Sequence, residues 1–137
     1  MKRTTLLILM IGLLGLMGCG DDDGSTGFQF VLLEVTEANF PDAFTVGEVY
    51  SIEVTYLNPD ACTFFETFDI IGTGQTERQV IPIASRFPEE ACTLDIEERT
   101  ATFEFEVFYD QLHVFHFFTG RDSNGESQFL TYEIPVE

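Results

Sequence analysis

Basic residues, histidine, cysteine and tryptophan are scarce in this chain of 137 residues. Six Lys and Arg stand against 24 Asp and Glu, which gives a formal net charge of −18. Binding to phosphate backbones needs clustered Lys and Arg, so the composition excludes nucleic acid as a partner and disfavours direct contact with an anionic bilayer. Two His, three Cys and no Trp leave few side chains for catalysis. We therefore expect no enzyme active site, no metal site and no cofactor.

Apolar residues, by contrast, are abundant enough to form a core. Hydrophobic residues make up 45% of the chain, and Phe alone supplies 15 of them. Disordered acidic segments lack such a content because they cannot bury enough apolar surface. The length predicts a single domain.

The N-terminus combines a basic start with a short apolar run from Leu6 to Met17. This run is too short for a transmembrane helix, which needs about 20 residues, and is typical of a secretory signal. It ends in Leu16-Met17-Gly18-Cys19, which resembles the lipobox of bacterial lipoproteins. The resemblance implies diacylglyceryl transfer to the thiol of Cys19 and cleavage before it. The alternatives are an ordinary signal peptide with a chance Cys, or an uncleaved anchor.

The predicted organisation is a signal peptide (1–18), a lipidated Cys19 with a flexible acidic linker (19–27), and one β-domain (28–137). Cleavage leaves four Arg against 24 acids, a formal charge of −20. The acidic residues after Cys19 resemble the surface-export tether of some Gram-negative lipoproteins, and a solvated spacer is the alternative. The expected location is the bacterial cell envelope, on the outer membrane, at its periplasmic face or at the cell surface.

Apolar and polar residues alternate from Phe28 onward, with the period of two that is typical of β-strands. The clearest alternation places Phe103, Phe105, Val107 and Tyr109 on one face. The predicted strands are 28–35, 50–56, 64–71, 78–85, 102–109, 112–119 and 130–136. Strand 112–119 is apolar on both faces, which predicts a central position in a sheet. Seven strands in 110 residues indicate a two-sheet sandwich.

A turn sequence, Asp122-Ser-Asn-Gly125-Glu, separates an aromatic strand from a final alternating strand. This segment, 115–136, resembles the last hairpin of bacterial immunoglobulin-like modules. The resemblance implies a seven-stranded antiparallel immunoglobulin-like β-sandwich. The Trp of antibody domains is absent, and a small closed barrel or a lipocalin-like cup remains as an alternative.

Cys62 and Cys92 form an even pair once Cys19 is assigned to lipid. Because exported chains fold in an oxidising compartment, we predict a disulfide between them. Each flanks a predicted strand, so both should lie at one end of the sandwich. The bond would stabilise the fold by about 3–4 kcal/mol in the chain-entropy model. A metal pair and a reactive thiol are the alternatives.

His113 and His116 are the only histidines, three residues apart. On a strand this odd spacing sends them to opposite faces, so they cannot chelate one ion together. We expect one to hydrogen-bond within the fold and the other to face solvent. The alternating oxygens of Asp122, Asn124 and Glu126 allow weak calcium binding, although the turn itself explains these residue types.

The Phe residues of 64–65 and 115–118 are expected in the core, with a surface binding patch as the alternative. The chain has no Gly-x-Ser-x-Gly motif, so a hydrolase is disfavoured. These features predict a non-enzymatic binding or envelope-structural module, held at the membrane by a lipid anchor, with a protein or glycan ligand. The alternative is an acidic inhibitor or decoy of a cationic protein such as a lysozyme or protease, since the charge would steer a basic target.

Overall fold

A computed structural model describes residues 27–88 and 91–137. The predicted signal peptide, Cys19 and linker residues 20–26 lie outside the described residues, as do Glu89 and Glu90. In the described part, no helix is long and apolar enough to cross a membrane. The chain there forms eight strands: β1 (Gln29–Leu32), β2 (Glu34–Asn39), β3 (Val49–Asn58), β4 (Thr63–Gly72), β5 (Glu77–Arg86), β6 (Glu97–Glu106), β7 (His113–Arg121) and β8 (Ser127–Ile134).

The strands form two sheets, which confirms the predicted all-β sandwich class. β5 is the middle of a five-stranded sheet. One of its edges pairs with β4, and the other is shared by β1 and β7, with β8 beyond β7. The second sheet has the order β2-β3-β6. The β5–β7 pair is parallel, whereas immunoglobulin sandwiches are built from antiparallel sheets.

The eighth strand arises because the predicted strand 28–35 divides at Leu33. β1 pairs with β5 in one sheet, and β2 pairs with β3 in the other. Leu33, between them, is buried and donates its backbone N–H to the Pro82 carbonyl at 3.0 Å. Gly120 allows a close approach at this crossing, since a Cβ there would lie 2.9 Å from Oε1 of Glu34. The crossing strand therefore joins the two layers.

The core between the layers follows the predicted alternation. Ile52 and Val54 of β3 are fully buried, and so are Phe115 and Phe117 of β7. The prediction that the strand continues to Tyr109 is wrong, because β6 ends at Glu106 and Tyr109 lies in the following loop, 42% exposed. β6 also begins earlier than predicted, since its pairing with β3 extends to Asn58 opposite Glu97.

The predicted bond between Cys62 and Cys92 is present, with 5.6 Å between the two Cα atoms. It joins the β3–β4 turn to the β5–β6 loop, and Ala61 donates its N–H to the Thr93 carbonyl beside it. The end of the sandwich that contains this bond is called the disulfide end. The described chain also begins there, because Gln29 pairs with Arg86 at the end of β5.

The opposite end of the sandwich is called the cleft end. β4 and β6 finish there, and β5 and β7 begin there. Along β5, Arg86 at the disulfide end and Arg78 at the cleft end are about 26 Å apart, at 3.3 Å per residue. Side chains at the two ends are therefore too far apart to contact one another.

Candidate functional site

A cleft of about 200 Å³ opens at the cleft end. Its walls come from both sheets: Ile70 of β4, Arg78 of β5, residues 103–106 of β6, Phe108 and Tyr109 of the following loop, and His113 of β7. The exposed residues of its lining are Phe108, Tyr109 and Ile70, which are largely apolar, and the acidic Glu104 and Glu106. Arg78 and His113 are the two nitrogen-containing side chains that line the cleft, and aromatic residues form most of the remaining lining.

Arg78 places a cation among aromatic rings. Its guanidinium carbon lies 4.5 Å from the ring centroid of Phe105 and 5.5 Å from that of Phe115. Nε is buried and has no hydrogen-bond partner, and Arg78 forms no ion pair with any described residue. Burial lowers the pKa of Arg78, although a guanidinium stays protonated in proteins. The positive charge is therefore held by ring faces rather than by a carboxylate.

His113 is fully buried in the same cleft, and the rings of Phe44 and Phe105 each approach it edge-on with centroids at 5.5 Å. Neither ring nitrogen has a hydrogen-bond partner of good geometry among the described residues. Burial lowers the pKa of His113, the Arg78 charge lowers it further, and the backbone of Gln111 partly opposes both. At neutral pH the imidazole is thus uncharged, and it carries one donor and one acceptor nitrogen.

His116 lies on the opposite face of β7, as the odd spacing predicts, and is 23% exposed. Its Nδ1 lies 2.8 Å from Oγ1 of Thr131, and its Nε2 lies 2.6 Å from Oε1 of Glu77. One histidine, His116, hydrogen-bonds within the fold as expected, but the expectation that the other faces solvent is wrong, because His113 is fully buried. The spacing of two residues on a strand predicts which face each side chain occupies, but their hydrogen-bond partners depend on the neighbouring strands.

Cys62 and Cys92 lie far from the cleft, at the disulfide end, and Cys19 lies outside the described residues. Sequence reasoning missed Arg78 as a site residue. The available signal was that Arg78 is the only charged residue in the predicted strand 78–85. Its neighbours Phe105 and His113 come from distant parts of the chain, so the sequence alone did not connect them.

The carboxylate of Asp122 accepts hydrogen bonds from the backbone of its own turn. Oδ1 of Asp122 accepts the N–H groups of Asn124 and Glu126 at 2.9 and 3.0 Å, and Gly125 has a φ of +80°. In residues 27–88 and 91–137, no group of three or more His, Cys, Asp or Glu is arranged to hold a metal ion. The turn is therefore explained by hairpin geometry.

The outer face of the three-stranded sheet is strongly acidic. Register pairing places Glu53 opposite Thr102, and Glu104 opposite Ser51, on the same outward side. None of the outward residues of β2, β3 and β6 is Lys or Arg. This surface is called the acidic face, and its outward carboxylates are those of Glu34, Glu37, Glu53, Glu98, Glu104 and Glu106.

Comparison with protein-family models, with curated proteins and with solved structures finds no match to this chain. The function is therefore argued from the cleft, the acidic face and the N-terminal sequence.

Proposed function

We propose that this chain is an exported bacterial lipoprotein whose β-sandwich is a non-enzymatic binding module, with the cleft as its binding site. The observation that carries the proposal is the position of the cleft at the end of the sandwich opposite the entry of the N-terminal chain. A lipid on Cys19 would hold the disulfide end near the membrane. The cleft would then open away from the bilayer, toward soluble ligands.

The dimensions fit this arrangement. Seven residues lie between Cys19 and Gly27, and the eight steps from one to the other reach about 28 Å at full extension. The sandwich adds about 26 Å between its two ends, so the cleft can stand about 50 Å from the lipid. Two or three acyl chains hold a protein on a bilayer almost permanently, and the resulting local concentration makes weak ligand contacts effective.

The chemistry of the cleft supports binding rather than catalysis. A hydrolytic site needs a nucleophile that is hydrogen-bonded to its base. Among the described residues, no hydroxyl or thiol group makes such a bond with His113. The cleft instead offers one fixed charge, one neutral imidazole and aromatic walls, which are groups that orient a ligand.

Metabolic labelling with radioactive palmitate in a Gram-negative host tests the anchor. The full chain should incorporate label and sediment with membranes, whereas Cys19→Ser should do neither. Cys62→Ser/Cys92→Ser is the matched control, because it removes the other two cysteines and should still be labelled. Absence of label from the unmutated chain, or label on Cys19→Ser, would contradict the lipoprotein assignment.

A thermal-shift screen of small molecules on the full chain tests the cleft. Ligands of the cleft should raise the Tm of the unmutated chain by mass action. Ile70→Trp, which fills the mouth, should abolish the shift, while the neighbouring Ile71→Trp should keep it because Ile71 does not line the cleft. Equal shifts in both variants, or no shift with any compound, would count against a binding role for the cleft.

The acidic face favours a second candidate function, that of an inhibitor or decoy of a cationic protein such as a lysozyme or protease. Opposite charges would speed encounter at low salt, and the effect would fall as salt rises. The test is binding of lysozyme and of a cationic protease at low and high salt. Glu53→Gln/Glu104→Gln should weaken capture, and Glu126→Gln/Glu133→Gln is the control of equal charge. No binding at low salt would contradict this function.

A further inference from the structure

Arg78 is half-buried, and no residue that the structure describes supplies the carboxylate partner that an arginine in such a position normally has. The mature chain has 24 acidic residues for four Arg, yet no described carboxylate pairs with Arg78. Arg86, eight residues along the same strand, shows the usual arrangement, with Nε 2.8 Å from Oδ2 of Asp60. A guanidinium is shaped to hold a carboxylate through two parallel N–H donors. Within residues 27–88 and 91–137, a carboxylate of the chain pairs with Arg86 and none pairs with Arg78.

His113 adds a second polar group to the same cleft. Its ring is completely buried, and in the described part of the chain neither nitrogen has a hydrogen-bond partner of good geometry. A neutral imidazole can donate one N–H to a ligand oxygen. A buried donor without a partner destabilises a fold, so two such groups lining one opening indicate a site that is completed by a ligand.

The walls define the rest of the ligand. The rings of Phe103, Phe105, Phe108 and Tyr109 line the cleft, with Ile70 at the mouth, so the body of the ligand is apolar. A volume of about 200 Å³ is below the roughly 300 Å³ at which pockets for drug-sized molecules begin. The ligand that fits is therefore small.

Two carboxylates at the rim restrict the charge of the ligand. Glu104 and Glu106 line the opening but are exposed on the outer side of β6. Their negative charge would repel a ligand that carries a second anionic group outside the cleft. One carboxylate paired with Arg78 is thus the favoured charge.

We propose that the cleft is a binding site for a small monoanionic organic carboxylate with an apolar or aromatic body. The carboxylate pairs with the guanidinium of Arg78 and accepts a hydrogen bond from His113, and the body packs on the aromatic walls. This inference rests on the proposed binding function and specifies its ligand class.

Calorimetric titration of the full chain in non-ionic detergent tests the inference with four probes that share one ring. Benzoate should bind, benzamide should bind about tenfold or more weakly because it lacks the charge, phthalate should bind more weakly than benzoate, and benzylamine should not bind. This comparison uses the unmutated chain, so it does not depend on whether any variant folds. Equal binding of benzoate and benzamide would overturn the carboxylate assignment and leave a cleft that binds rings.

Substitutions of Arg78 test whether its guanidinium is the group that binds the ligand carboxylate. Arg78→Gln should weaken benzoate binding about tenfold or more, and Arg78→Lys should give an intermediate loss because it keeps the charge without the two parallel donors. Arg99→Gln is the matched control, since Arg99 is exposed and does not line the cleft. Unchanged benzoate binding in a folded Arg78→Gln chain would overturn the proposal. Absence of benzoate binding to the unmutated chain would also overturn it, whereas palmitate labelling and the wider ligand screen decide the proposed function separately.

Discussion

Arg86 and Arg78 lie eight residues apart on the same strand, at opposite ends of the sandwich, and their surroundings differ. At the disulfide end, Asp60 is 4% exposed and its carboxylate accepts bonds from the Cys62 N–H, the Thr63 hydroxyl and the Arg86 Nε. At the cleft end, Arg78 faces aromatic rings and forms no ion pair with a described residue. One arginine is part of a closed network, and the other is open to a ligand.

The two ends of the sandwich differ in what their contacts contribute to the stability of the fold. A covalent bond and a charged network hold together the end where the chain enters. Unpaired buried groups such as those of His113 cost about 1–3 kcal/mol each. Proteins retain such destabilising groups mainly where they serve binding or catalysis. This contrast fits the proposal that the cleft end binds a ligand, while the contacts of the disulfide end stabilise the fold.

Removal of the disulfide should produce the largest loss of stability. Cys62→Ser/Cys92→Ser should lower the free energy of unfolding by about 3–4 kcal/mol, because the open chain gains conformational freedom when unfolded. Urea unfolding followed by circular dichroism measures this loss. Benzoate affinity of the folded fraction should not change. A loss of benzoate affinity in the folded fraction would show that the two ends are not independent.

Asp60→Asn should cost about 2–3 kcal/mol, since it leaves the buried part of the Arg86 charge without its partner. The hydrogen bond from Arg86 lowers the pKa of Asp60, so the carboxylate stabilises the fold at neutral pH. That contribution is present above about pH 4, the pKa in unfolded chains, and is lost as the pH falls below it.

Unfolding of both chains between pH 7 and pH 2 tests this dependence. The unmutated protein should lose more stability below about pH 4 than Asp60→Asn. Asp95→Asn, at an exposed position, is the control and should behave as the unmutated chain does. Identical acid curves for Asp60→Asn and the unmutated chain would refute the account of the disulfide end.

His113→Leu, at the cleft end, should not lower the free energy of unfolding as Asp60→Asn does. Replacing an unpartnered imidazole among Phe rings with an apolar side chain should leave stability equal or raise it by about 1 kcal/mol. Benzoate binding should weaken at the same time. A loss of more than about 2 kcal/mol would mean that His113 contributes to the fold, and the contrast between the ends would fail.

The pH dependence of stability gives an independent check on His113. Because its pKa is lowered in the folded chain, the unfolded chain binds a proton that the folded chain does not as the pH falls below about 6.5. Stability should therefore fall from about pH 6.5 toward pH 5 in the unmutated chain and less in His113→Leu. This window lies above the one in which Asp60 acts, so the two titrations can be distinguished.

Glu104→Gln should have the smallest effect. Removing one exposed charge at the rim should strengthen benzoate binding about twofold at low salt, and the gain should disappear at high salt because exposed charges are screened. Titrations at the two salt concentrations measure it. Glu126→Gln, in the distant hairpin, should show no gain, and a similar gain there would indicate a general effect of net charge.

The sequence predicted the features that local alternation determines. Ile52, Val54, Phe103 and Phe105 alternate with polar residues, and a period of two is enough to assign them to the inner face. The disulfide was predictable because only Cys62 and Cys92 remained after the lipobox. The hairpin at Asp122–Gly125 was predictable because its turn residues act on their own backbone.

The remaining features depend on contacts between distant segments. The division of the first strand at Leu33 requires knowledge of which sheet each half joins. The parallel β5–β7 register, which places Arg78 opposite Phe115, is not coded in either strand alone. The cleft follows from that register and from the packing of β6 across it, so its residues could not be assembled from the sequence.

The measurement that tests the account most directly is a ¹H–¹⁵N correlation spectrum of the labelled full chain during titration with benzoate. We predict shift changes at the Arg78 Nε–H signal and at the backbone amides of Phe105 and His113, with the Asp60 and Cys62 amides unchanged. Changes centred on Asp60 and Cys62, or no change up to the solubility limit of benzoate, would contradict the assignment of ligand binding to the cleft end.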